Sequence, residues 1–85
     1  MPRGAFSELV PELELVATEA YQRARHFVER DPLLIGQDQE ILSSVLCRRI
    51  RELTLSGESN VIRLANAAIR AVRQMAEQED LREAA

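Results

Sequence analysis

Lysine and tryptophan are missing altogether, aromatic residues make up only 4% of the 85 positions, and there are one cysteine, three glycines and three prolines. Each shortage excludes something. Without lysine there is no Schiff-base chemistry and no P-loop lysine, and three widely separated glycines cannot build a phosphate-cradling loop. A lone Cys47 has no partner for an intramolecular disulfide, so nothing calls for an oxidising compartment, and a reduced cytoplasm is the expected setting. No stretch approaches the ~18 uninterrupted apolar residues of a membrane span, and MPRGAFSELV lacks the apolar run of a signal peptide. The formal net charge of -3 disfavours nucleic acid or an anionic membrane surface as a partner, because both are usually met with excess positive charge.

What is abundant is aliphatic. Hydrophobic residues reach 46% with almost no aromatics, so the core has to be built from Leu, Ile, Val and Ala, which suits close helix packing. The strongest periodic signal is VIRLANAAIRAVRQMAE, residues 61–77. At about 100° per residue its apolar side chains fill an arc of roughly 220°, and Arg63, Asn66, Arg70, Arg73, Gln74 and Glu77 fill the rest. That is a helix. An apolar arc so broad predicts more than one neighbour covering it.

Two further helices are expected upstream. Pro11 suits a first helical turn, and Leu13, Val16, Ala17, Ala20, Tyr21, Ala24, Phe27 and Val28 share one face, with Leu15 alone on the outside. This helix should run from about 10 to 30 and stop at Asp31-Pro32. Asp38 is a ready N-cap for a second helix, 39–55, with Gly57 placed to end it in a left-handed C′ conformation. Ile41, Leu42, Val45, Leu46, Ile50 and Leu53 define its apolar half, and Arg49 projects into that half. A guanidinium there must snorkel, pair with a carboxylate or face a ligand. The connection SGESN is short, so helices two and three form an antiparallel hairpin, with Ser59 or Asn60 capping the third, 60–79.

Between the first two helices lie Leu33, Leu34 and Ile35, consecutive apolar residues in a connection. They either plug the end of the bundle or dock a partner.

Candidate chemistry is thin. His26 and Cys47 fall on polar faces without a ligand at helical spacing, so neither a metal site nor a Cys-His pair is indicated, and no cofactor is expected. Helix two, the turn and helix three invite a helix-turn-helix reading with Asn60, Arg63, Asn66, Arg70 and Arg73 as the reading face, but the turn is slightly long, the third helix is longer than most recognition helices, its apolar arc is too broad and the chain is acidic. An Arg-lined pocket around Arg49 is the remaining route to a small helical enzyme.

The expectation is therefore an all-α, single-domain, three-helix up-down-up bundle over residues 1–85, with 1–6 and 80–85 frayed. In an 85-residue chain the third helix carries more apolar surface than two partners comfortably cover, so a homodimer forming a larger helical bundle is expected. Its seam would be Leu64, Ala65, Ala68, Val72 and Met75, with Leu33, Leu34 and Ile35 as further contacts. The expected function is non-enzymatic and regulatory: binding an unidentified protein partner.

Overall fold

Pro11 opens the first helix because its ring fixes φ near the helical value and its missing N–H is one that no helix could satisfy anyway. A computed structural model describes residues 6–84, and side chains as far as residue 79. Helix α1 is Pro11–Glu29, α2 is Gln39–Leu55 and α3 is Val61–Ala84; Pro32–Leu34 form a short 3₁₀ turn between α1 and α2. No strand occurs among the described residues. The three helices pack against one another, α1 and α2 each along α3, in a body of 44 × 21 × 19 Å.

The helix ends follow from single residues. At the start of α2, Asp38 Oδ1 accepts hydrogen bonds from the backbone N–H groups of Glu40 (2.8 Å) and Ile41 (3.3 Å). At its end, the N–H of Glu58 donates to the Leu53 carbonyl (3.0 Å) and that of Gly57 to Thr54 (3.1 Å), with Gly57 at φ 110. This is the Schellman pairing that a glycine at C′ permits. Asn60, rather than Ser59, caps α3: its Oδ1 accepts from the Arg63 N–H at 3.0 Å.

The core joins Ala17, Ala20, Ala24 and Val28 of α1 to Leu42, Leu46 and Ile50 of α2 and Leu64, Ala68 and Val72 of α3. Alanines dominate the α1 and α3 faces, which lets those backbones approach closely. Three expectations are corrected here. Leu64, Ala65, Ala68 and Val72, expected at a dimer seam, are buried by the chain's own α1 and α2, and Met75 is half-buried against the same core. Helix α2 buries Leu42, Leu46 and Ile50 of the expected face, with Val45 and Leu53 beside them, but is turned toward Thr54: Thr54 is buried, Cys47 packs at the flank, and Ile41 is left exposed. Thr54 tolerates this burial because its Oγ1 donates to the Ile50 carbonyl at 2.7 Å, so that the residue packs like a valine. Third, Phe6, placed by composition in a frayed terminus, is buried together with Leu9, and Arg51 of α2 pairs with Glu8 at 3.1 Å.

Helix α3 also continues beyond the residue 79 limit that its hydropathy suggested, reaching Ala84. At 1.5 Å per residue it is about 36 Å long against about 26 Å for α2.

Candidate functional site

Asp31-Pro32 stops α1 and creates the site in the same stroke. With Asp31 held extended before the proline ring, its Oδ1 accepts from the Leu33 N–H (3.0 Å) and nucleates the 3₁₀ turn. The other oxygen, Oδ2, accepts from Arg73 Nε of α3 at 2.9 Å. The carboxylate is thus almost wholly buried but served on both oxygens. The Leu33 N–H first, and then the Arg73 guanidinium, hold its pKa below the ordinary 3.8 against the opposing effect of burial. Arg73 is fixed in turn: its guanidinium stacks over the Phe27 ring at 5.4 Å.

Around this pair opens a shallow cleft of about 560 Å³. Phe27 and Pro32 give it apolar surface, and Arg23, Arg30 and Arg73 with His26 surround it. The first of these come from one helical stripe, since Arg23, Phe27 and Arg30 are spaced i, i+4, i+7 along α1 and its C-cap. Arg23 lies 3.7 Å from Glu19, on the solvent side of both, and Arg30 makes no ion pair among the described residues. A second, smaller hollow lies beside it, where the Tyr21 hydroxyl donates to Ser43 Oγ (3.1 Å) and Arg25 donates to the same oxygen and to Glu29. Apart from His26, the side-chain donors of the main cleft are guanidinium N–H groups. Such a set binds and orients carboxylates or other anions.

The residues singled out by sequence are dispersed. Leu34 is buried as a plug, whereas Leu33 and Ile35 on either side of it are 66% and 76% exposed. Arg49, expected inside the apolar half of α2, is on the surface and 3.4 Å from Glu52; it lines neither hollow, because the turn of α2 carries it off the core. The face of Arg63, Asn66, Arg70 and Arg73 is not one continuous reading surface: Arg73 is bent onto Asp31, Arg63 lies 3.9 Å from Glu58, and Asn66 and Arg70 are exposed. Cys47 is half-buried, and burial pushes its thiol pKa up, away from the thiolate a nucleophile requires. Among the described residues no three His, Cys, Asp or Glu side chains gather closely enough to hold a metal ion, and no helix is long and apolar enough to cross a membrane.

The basic cleft itself was missed in the sequence. Its α1 stripe was visible as spacing, but the hydropathy pattern assigned Phe27 to the core, and nothing local links Asp31 to a residue 42 positions later. Compared with protein-family models, with curated proteins and with solved structures, the chain matches none.

Proposed function

We propose that this protein is a non-enzymatic interaction module that docks a protein partner on the end of the bundle formed by the last turn of α1, the 3₁₀ turn and the first turn of α2. The observation that carries this reading is the exposure of Leu33 and Ile35, at 66% and 76%, on a turn that Asp31 ties through the Leu33 N–H. Core formation accounts for Leu34 alone. Ile41 and Phe27 add exposed apolar surface at the same end. Anchors presented on a rigid turn lose little conformational entropy when a partner covers them, which is how small surfaces reach useful affinity.

A second copy of the chain is one partner such a surface could take. Self-association through the α3 seam would compete with the core that Leu64, Ala68 and Val72 already form, so a homodimer of this fold uses the bundle end instead.

The test compares proteins retained from native cytosol by the wild-type chain, by Leu33→Ser/Ile35→Ser, and by Leu15→Ser/Leu55→Ser, which removes exposed leucines elsewhere. A partner held by the first and third chains but not the second, with helix content equal in all three, supports docking at this end. Identical retention by all three chains would sink it.

A further inference from the structure

We infer that the cleft between α1 and α3 takes an acidic peptide segment carrying an apolar anchor: the guanidiniums of Arg23, Arg30 and Arg73 meet its carboxylates, and Phe27 with Pro32 seats the anchor. This rests on the docking role proposed for the same end of the bundle and names the chemistry of the partner.

Charge distribution is the first argument. The chain as a whole is acidic, at -3, yet here three guanidiniums face a single carboxylate. That carboxylate, Asp31, is already spent on the Leu33 N–H and on Arg73 Nε. Arg73 therefore keeps its Nη donors on a side chain that is 43% exposed. Arg30 has no ionic partner among the described residues, and Arg23 has only the solvated Glu19 contact at 3.7 Å. Pairs of that kind contribute little and are readily exchanged.

Shape is the second. A small-molecule site encloses most of its ligand, whereas this cleft is open along its length. It suits side chains reaching down from a segment that lies across it. Phe27 is 45% exposed beneath Arg73, so an apolar side chain placed there gains ring contact while its acidic neighbours reach the rim. Basic groups at the end of a helix also offset its dipole, and Arg30 at the C-cap of α1 is placed to do so. That role needs neither an exposed aromatic ring nor an arginine supplied by α3. A phosphate backbone would want the basic track to continue along the molecule, but Arg25, the next cation beside the cleft, is already held by hydrogen bonds to Glu29 and Ser43.

The experiment is a fluorescence-anisotropy titration of the full chain against a labelled peptide of Asp and Glu residues around a central Leu-Phe pair, at low salt. Saturable binding is expected, weakened about tenfold or more by Arg30→Glu, since a contact of ~1 kcal/mol is converted to repulsion. Replacing the peptide's Leu-Phe by Ser-Ser should weaken it comparably. Arg48→Glu, on the outer face of α2, should leave it unchanged. Absence of saturation, equal binding by the Arg30→Glu chain, or tighter binding to a short DNA duplex than to the peptide overturns the proposal. If it falls while a partner is still captured through Leu33 and Ile35, the docking end stands without the acidic segment; if both fail, both readings fail.

Discussion

Asp31 is where one side chain does several jobs. It ends α1 with the help of Pro32, shapes the 3₁₀ turn and anchors Arg73 across the bundle. Because its pKa in the folded chain lies below the ordinary 3.8, its ionised form stabilises the fold. That contribution is complete above the ordinary carboxylate value and disappears as pH falls through the lowered one. Asp31→Asn should therefore lower the Tm at neutral pH, and should flatten the acid limb of a plot of Tm against pH; superimposable acid limbs would show that Asp31 is not a source of the acid sensitivity. Arg49 is the opposite case. Exposed and only 3.4 Å from an equally exposed Glu52, it should tolerate Arg49→Met within about 0.5 kcal/mol in urea unfolding.

At the level of elements, the helix ends are the part most open to single substitutions. Asp38→Ala removes the acceptor for two backbone N–H groups and should cost about 1 kcal/mol by denaturant titration. Gly57 has nothing within 4 Å of where a Cβ would sit, so its replacement meets no clash, only the strain of φ 110. Gly57→Val should then cost roughly 1 kcal/mol or more, and Gly57→Asn distinctly less. These caps were legible in the sequence because each depends on residues within a few positions of one another. So were the three helices, whose existence follows from periodicity. The rotation of α2 was not, because a hydropathy pattern counts Thr54 as polar although its hydroxyl is satisfied by its own helix, and counts Ile41 as core although it sits at the bundle end. Nor was the cleft, since the pairing of Asp31 with Arg73 exists only once α1 and α3 lie side by side. The apolar arc on α3 does have more than one neighbour, since α1 and α2 of the same chain cover Leu64, Ala65, Ala68 and Val72 while Ile62 stays 60% exposed; how closely the alanine faces approach is something no one-dimensional pattern carries.

For the molecule as a whole, the consequence is that α3 is the central strut of a folded single chain. Ala68 is completely buried, so Ala68→Glu places a carboxylate among Leu, Ile and Val and should cost several kcal/mol. Arg70→Glu, exposed on the other side, should change stability by less than about 0.5 kcal/mol. Association through the α3 seam would have to displace the core that Leu64, Ala68 and Val72 form, so a Tm that climbs with protein concentration would mark two copies meeting through other surface, the bundle end first.

The contact between Tyr21 and Ser43 makes this chain its own spectroscopic reporter. With tryptophan absent, Tyr21 is the single strong near-ultraviolet chromophore, and it is buried where α1 meets α2. Near-ultraviolet circular dichroism and intrinsic emission therefore register the docking of those two helices, while far-ultraviolet signal registers helix wherever it forms. Melting curves that coincide in the two regions would mark a cooperative transition; an early loss of the tyrosine signal would reveal a state in which the helices persist after their packing has gone.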